Sequence, residues 1–173
     1  MTRTNRFLGT VLIAGGATAG LVVGHSAHLS AGNAAASIAA GATVINNCKI
    51  TTSDLTFTSY DPLAASDVTG TGTVTIACTK GASPTVALSV GANPTHATGT
   101  TRAFNNGTSY LSYEIYKDSN YATVWGDAGS AVLTAGAAPD KNGRSFTAYA
   151  KIPAGQDIVA GTYSDGMTAT VNF

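Results

Sequence analysis

From Cys48 to the C-terminus, apolar and polar side chains alternate one by one along short segments that end in turn residues. A period of two places successive side chains on opposite faces of a β-strand, whereas a helix would repeat every 3.6 residues. About six strands at this spacing predict an all-β domain, a β-sandwich. The apolar residues that share a face are Leu55 and Phe57; Val74, Ile76 and Cys78; Val86, Leu88 and Val90; Leu111, Tyr113 and Ile115; Phe146, Ala148, Ala150 and Ile152; and Met167, Ala169, Val171 and Phe173.

Two details of strand pairing follow from this spacing. A short Gly-Ala-Ser-Pro turn precedes the Val86–Val90 run, so we expect this run to neighbour the Val74–Cys78 run in one sheet. In the run Leu111–Ile115 and the residue after it, we expect Ser112, Glu114 and Tyr116 to face away from the core.

Composition narrows the class of protein. The 173 residues suffice for one domain, and 30 Ala, 26 Thr and 20 Gly against 9 Leu favour strands over helices. Lys and Arg number 9, as do Asp and Glu, and charged residues make up 10% of the chain. A chain so poor in positive charge lacks the counterion-release affinity of a nucleic-acid binder, so we expect no such partner.

The N-terminus has the pattern of a signal peptide. Arg3 and Arg6 precede an apolar stretch from Leu8 to Val23, which is shorter than the roughly 18–20 residues of a membrane anchor. Ala34 and Ala36 form an A-x-A cleavage site, so we predict a signal peptide over residues 1–36 and no membrane span in the mature form. An uncleaved anchor is the alternative.

The chain has two cysteines, Cys48 and Cys78, which are each other's only possible partners. An even number of cysteines in an exported chain predicts a disulfide. There is no C-x-x-C pair, and His96 is the only histidine after the N-terminal segment, so a metal or redox site lacks ligands. We therefore expect a structural disulfide and no metal.

A further alternation lies before Cys48. Ile38, Ala40, Ala42 and Val44 share one face, so the start of the mature chain is itself a strand candidate. It is either the first strand of the sandwich or a strand offered to another molecule.

The order of several short motifs resembles the spore coat protein U domain, a family that includes the Csu-type, or archaic, chaperone–usher pilins. The resemblance covers Cys48 to Phe173 and includes both cysteines. Its motifs are Asn47-Cys48-Lys49-Ile50; Val74-Thr75-Ile76-Ala77-Cys78-Thr79 with Gly81; Arg102-Ala103-Phe104; Leu111-Ser112-Tyr113-Glu114-Ile115-Tyr116; Val124-Trp125-Gly126-Asp127; Ile152-Pro153-Ala154-Gly155-Gln156; Ala160-Gly161-Thr162-Tyr163-Ser164-Asp165; and Thr170-Val171-Asn172-Phe173.

The resemblance implies an incomplete immunoglobulin-like β-sandwich, completed by a donor strand from a neighbouring subunit. In the family, a periplasmic chaperone supplies that strand first, and at an outer-membrane usher the N-terminal strand of the next subunit replaces it. Residues 37–47 would then be the donor strand, and residues 48–173 the pilin domain. One donor and one groove per subunit give a linear polymer.

The resemblance also assigns roles to residues. The donor strand would insert Ile38, Ala40, Ala42 and Val44. The C-terminal strand would turn Met167, Ala169, Val171 and Phe173 to the core, and the chaperone would anchor the terminal carboxylate of Phe173 through basic residues. The protein would pass through the periplasm to a surface fimbrium.

Other motifs have simpler explanations than a site. No nucleophile–base pair accompanies His96, so we expect no catalysis and no cofactor. Asp118, Asn120 and Asp127 are expected to cap a loop. Asn106-Gly107-Thr108 matches a glycosylation sequon, but an Asn-Gly pair is first of all a hairpin signal, so we expect a hairpin turn there. Trp125 and the tyrosines Tyr110, Tyr116 and Tyr149 are expected to pack, with a sugar-binding surface as the alternative.

Three hypotheses therefore stand. The first is a fimbrial subunit that polymerises by donor-strand exchange and supports adhesion and biofilm formation. The second is a coat component of a spore or cyst, and the third is a monomeric carbohydrate-binding sandwich. The third would not need an N-terminal strand that is unpaired with its own sheet.

Overall fold

The computed structural model describes residues 32–173, and this part of the chain is all-β. Within it no helix is long and apolar enough to cross a membrane, and the two 3-10 turns, Pro94–His96 and Gly129–Ala131, have three residues each. The strands are β1 (Cys48–Phe57), β2 (Val68–Cys78), β3 (Thr85–Leu88), β4 (Arg102–Asn105), β5 (Tyr110–Tyr116), β6 (Leu133–Thr134), β7 (Arg144–Ile152) and β8 (Ala169–Asn172).

These strands form two antiparallel sheets. One has five strands in the order β1-β2-β7-β5-β4, and the other has three in the order β6-β3-β8. Alternating side chains from both sheets share one core, so the predicted all-β sandwich is confirmed. The fully or almost fully buried core residues include Val74, Ile76, Val86, Leu88, Leu111, Tyr113, Ile115, Trp125, Ala148, Ala150 and Ile152.

The expected pairing of the Val74–Cys78 and Val86–Val90 runs is wrong. β2 pairs with β1 along one edge and with β7 along the other, so it has no free edge for β3. β3 instead lies in the other sheet between β6 and β8, and it ends at Leu88. Val90 lies beyond the end of the strand.

β5 also differs from the expectation, because both of its faces are covered. Ser112 and Glu114 are 3% and 4% exposed. The amide nitrogen of Thr98 donates to Ser112 Oγ at 2.8 Å, and the side chain of Gln156 bonds to both backbone groups of Ser112. Glu114 meets the guanidinium of Arg102. An alternating pattern cannot reveal that loops cover the second face of a strand.

The N-terminal segment is not a strand of the sandwich. Residues 37–47 form no regular secondary structure and are exposed, so the reading in which they are the first strand is wrong. Residues 32–41 belong to a separate N-terminal unit, and the compact body begins at Ala42. Arg3, Arg6 and the apolar stretch of the predicted signal peptide lie outside the described residues.

Candidate functional site

The two sides of the sandwich differ in how the backbone is paired. On one side, the segment around Trp125 bridges the sheets: Trp125 N donates to Ile115 O of β5 at 2.8 Å, and Gly126 O accepts from Leu88 N of β3 at 3.0 Å. On the other side, β1 and β8 are the edge strands of their sheets, and in the described chain neither forms a ladder with a strand across the seam. This second side is open.

The alternation of an antiparallel ladder tells which backbone groups face the open side. Thr79 N donates to Asn47 O, so Asn47 faces β2 with its backbone groups. Every second residue from Cys48 onward, namely Cys48, Ile50 and Thr52, therefore turns its N–H and C=O groups away from β2. Ser89 N donates to Thr168 O, so the groups of Ala169 and Val171 likewise turn away from β3. Among residues 32–173, donors and acceptors without a backbone partner therefore line both edges of the seam.

A cavity of about 380 Å³ opens at this seam. It lies where β1 bulges between Ser53 and Thr56 and where the chain approaches the start of β8. Further along the seam, β8 lies beside β1. The floor of the cavity is apolar and its rim is polar. The cavity is lined by Thr52, Ser53, Asp54, Leu55, Gly72, Thr73, Val74, Leu88, Phe104, Tyr113, Ile115, Ala148, Tyr163, Ser164, Asp165, Met167 and Ala169. We call this cavity the seam groove.

An aromatic cluster forms one end of the seam groove. The ring of Tyr113 stacks on Phe104 at 3.9 Å and meets the edge of Phe57 at 6.4 Å. Its hydroxyl donates to Asp165 Oδ2 at 2.7 Å, and burial, followed by this bond, raises the pKa of Tyr113. Gly91 has φ +79°, and a Cβ atom there would clash with the Asp165 carboxylate, so any other residue would be strained and would displace Asp165. This end of the groove is therefore fixed by polar contacts.

The C-terminal strand is shorter than predicted, because β8 spans Ala169–Asn172 and Met167 precedes it. Met167, Ala169 and Val171 are half-buried and pack on the core. The prediction that Phe173 faces the core is wrong, because its side chain is 55% exposed. β8 ends at Asn172, which pairs with Thr85, so Phe173 lies past the strand that would hold it against the core.

The N-terminal segment is tied to the body just before β1. Asn47 N donates to Thr79 Oγ1 at 3.0 Å, and that hydroxyl donates to Ile45 O at 3.2 Å. Before this attachment, large apolar side chains are exposed: Val44 by 83% and Ile38 by 94%. Neither side chain is therefore buried in the core of this chain.

The predicted disulfide between Cys48 and Cys78 is present. The two residues are directly opposite each other in the β1–β2 ladder, with Cα atoms 4.1 Å apart. The bond holds the start of the edge strand β1 to the end of β2. It thereby fixes one border of the open seam.

Of Asp118, Asn120 and Asp127, which were predicted to cap a loop, only Asp118 does so in the described part of the chain. Asp118 accepts hydrogen bonds from the amide nitrogens of Asn120, Ala122 and Thr123, which lower its pKa. Residues 32–173 contain no group of three His, Cys, Asp or Glu side chains that could hold a metal.

Trp125 is fully buried, and its Nε1 donates to Val86 O at 2.9 Å, so it packs in the core. Asn106 accepts from Thr108 N and Ser109 N, and Gly107 has φ +93°, as a tight hairpin turn between β4 and β5 requires. Tyr110 stacks on the ring of His96, with centroids 3.8 Å apart. Tyr116 and Tyr149 are opposite each other in the β5–β7 ladder.

Two known proteins are similar to this chain. Protein U of Myxococcus xanthus is 30% identical over 135 residues, covering 69% of this chain and 71% of Protein U. A chain in the crystal structure of the CsuC–CsuE chaperone–tip adhesion subunit pre-assembly complex, from the archaic chaperone–usher Csu pili of Acinetobacter baumannii, matches with a TM-score of 0.56 and 27% identity. That match covers 76% of this chain and 41% of the solved one, so this chain spans less than half of its length.

The match to a pilus subunit agrees with the immunoglobulin-like sandwich described above. The model of the Spore Coat Protein U domain matches residues 34–170, which is most of the chain. The chain belongs to the Spore Coat Protein U domain family.

Proposed function

We propose that this protein is a structural subunit of a chaperone–usher fimbria and that it polymerises by donor-strand exchange. The observation that carries the proposal is the open seam between β1 and β8, where unpaired backbone groups border an apolar groove. A sandwich that exposes such a seam aggregates unless a strand covers it. An inserted strand would pair with both edges and bury its apolar face in the groove.

The strand supplied by the chain is the N-terminal segment, residues 37–47. Burying Ile38 and Val44 stabilises the contact by roughly 1.5–3 kcal/mol each, whereas Ala40 and Ala42 contribute less. Both large side chains are exposed in the single chain. Because β8 lies beside β1 along part of the seam, insertion must first separate these two edges there.

The geometry of the contact determines the form of the assembly. Each subunit offers one donor strand and one groove, which are different parts of the chain, so the contact is heterologous and does not close. The product is a linear homopolymer on the cell surface, a fimbrium that supports adhesion and biofilm formation. Its role is structural and not enzymatic.

Assembly also requires partners that protect and order the subunits. The matched solved structure is a complex of a chaperone with a tip adhesion subunit before assembly. By analogy, a periplasmic chaperone fills the seam groove first and anchors the carboxylate of Phe173, and an outer-membrane usher exchanges that strand for the donor of the next subunit. Export depends on the signal peptide predicted over residues 1–36.

The test changes the donor strand at three positions. Val44→Asp and Ile38→Asp each put an unpaired carboxylate into a dry groove, at a cost of several kcal/mol, so both should abolish fibres. Thr43→Asp has the same charge on the other face of the strand and is the matched control. Each variant is expressed with chaperone and usher, and SDS-resistant ladders and surface fibres are measured. Equal assembly by all three variants contradicts the donor role.

A second candidate is a coat protein of a dormant cell, which the match to the Spore Coat Protein U domain favours. The same domain would then be deposited as a layer and not exported as a fibre. A purified mature chain that forms no ladders, together with protein found only in coat fractions, would support this alternative.

A further inference from the structure

The buried arginine Arg102 connects the two sheets at the closed side of the sandwich. It is the first residue of β4 and is 0% exposed. Its Nη2 donates to Leu88 O at 3.1 Å and to Trp125 O at 2.8 Å, and its Nε donates to Ser89 O at 3.1 Å. Successive carbonyls of a regular strand point to opposite edges, so one guanidinium can hold both Leu88 and Ser89 only because β3 ends there.

The carboxylate of Glu114 balances the charge of Arg102. Glu114 Oε1 accepts from Arg102 Nη1, and it also accepts from Thr101 Oγ1 and Ile115 N, both at 3.0 Å. The other oxygen accepts from Thr101 N at 2.8 Å. The guanidinium has one geometry in which all of these bonds form, since its donors are arranged in a rigid fork.

The same contacts reach the wall of the seam groove. Arg102 holds Ser89, whose backbone N–H donates to Thr168 O at 3.0 Å. The Ser89 hydroxyl accepts a hydrogen bond from Thr168 N, also at 3.0 Å. Thr168 lies between Met167 and Ala169, two residues that line the groove. A short chain of hydrogen bonds therefore runs from Arg102 through Ser89 to the β8 side of the open seam.

We propose that Arg102 is a positioning residue for strand binding: by holding the end of β3 against the five-stranded sheet, it sets the distance between β8 and β1 and hence the width of the seam groove. This inference rests on the proposed function, because the groove must bind a strand for its width to matter. A buried ion pair is weak evidence for a role in stability alone, since apolar residues of similar volume often replace such a pair at no net cost.

The experiment compares assembly with stability in the full chain, expressed with chaperone and usher. The double variant Arg102→Met, Glu114→Leu removes both charges, so no buried charge is left unpaired. The control is Ile76→Val or Ile76→Ala, whichever has the same melting temperature as the double variant. Ile76 is fully buried in β2 and does not line the groove. We expect the double variant to lose about tenfold or more of its SDS-resistant ladder, as a loss of about 1.4 kcal/mol in strand binding would give, while the Ile76 variant assembles like wild type.

Two milder variants keep the test decisive if the double variant does not fold. Arg102→Lys keeps the positive charge but replaces the planar fork by a single ammonium nitrogen, which cannot reach the three carbonyls and Glu114 at the same time, so assembly should fall as in the double variant. Ser89→Ala removes the hydroxyl that accepts Thr168 N, so assembly should fall with little change in melting temperature. Wild-type assembly by both, or an equal loss in the Ile76 control, overturns the positioning role. A wild-type chain that forms no ladder instead overturns the proposed function, and the inference with it.

Discussion

Tyr113 donates its hydroxyl to Asp165 Oδ2 at 2.7 Å and thereby joins β5 of one sheet to the segment that leads into β8 of the other. Oδ1 of the same carboxylate accepts from Ala92 N and Gly166 N, both at 2.9 Å. Ala92 follows β3 and Gly166 precedes β8 in the chain. One carboxylate therefore joins both sheets at the end of the seam groove.

This phenol should make stability depend on pH in the alkaline range. The pKa of Tyr113 is raised above its ordinary value of 10.0, so the folded protein keeps a proton that the unfolded chain releases. The free energy of unfolding should therefore be constant near neutral pH and fall above about pH 10, by up to about 1.4 kcal/mol per pH unit. Tyr113→Phe should lose this contribution. Urea unfolding of both proteins at about pH 9 and about pH 11 gives the loss of free energy of unfolding between the two pH values. An equal loss in wild type and in Tyr113→Phe would contradict this role of Tyr113.

The disulfide should contribute to stability through the unfolded chain. Cys48→Ser with Cys78→Ser should lower the free energy of unfolding by about 2–4 kcal/mol, because closing a loop of this length removes about 3.6 kcal/mol of unfolded-state entropy. Denaturant unfolding of the purified variant gives the value, and its amount in the periplasm should fall. Two free thiols in the unreduced wild-type protein, detected by mass spectrometry, would disprove the bond.

A bulky residue in the seam groove should block strand binding without unfolding the subunit. Ala169 lines the groove and is half-buried, whereas Thr170, the next residue of β8, is exposed. Ala169→Phe should abolish SDS-resistant ladders, and Thr170→Phe should leave them unchanged. Ladders of normal intensity from Ala169→Phe would mean that the groove is not the acceptor.

The exposed last residue should matter for assembly more than for folding. Because Phe173 is 55% exposed and lies past β8, its deletion should change the melting temperature by only a few degrees. If the chaperone anchors the C-terminus, the same deletion should prevent surface assembly. Thermal unfolding and surface labelling of the truncated chain test the two halves separately, and normal fibres contradict the anchoring role.

The strands and the disulfide could be predicted from the sequence because their signals are local. Alternation identified the buried faces of β2 and β7, and two cysteines had one possible pairing. Which sheet a strand joins is not a local property. β3 follows a short turn after β2, yet it crosses to the other sheet because both edges of β2 are occupied.

The parts of the site that the sequence did not indicate depend on three-dimensional coverage. The spacing of Arg102 and Glu114 in the sequence does not predict a buried ion pair. Both residues are buried because they lie where the two sheets meet. Phe173 continues the apolar period of β8, but the period indicates a face and not whether anything covers it. Asp165 was part of a motif, while its bond to Tyr113 across the sheets was not predictable.

Amide hydrogen exchange at the two edges of the seam tests the central claim most directly. In the Val44→Asp chain, which should not assemble and is purified free of chaperone, the amides of Ile50, Thr52, Ala169 and Val171 should exchange rapidly, because they point away from their ladder partners. In wild-type fibres the same amides should become protected, while the amide of Ala150, in the middle of the five-stranded sheet, should be protected in both. Protection of the seam amides in fibres would show that a strand fills the seam. Rapid exchange at these four positions in intact fibres would contradict donor-strand assembly.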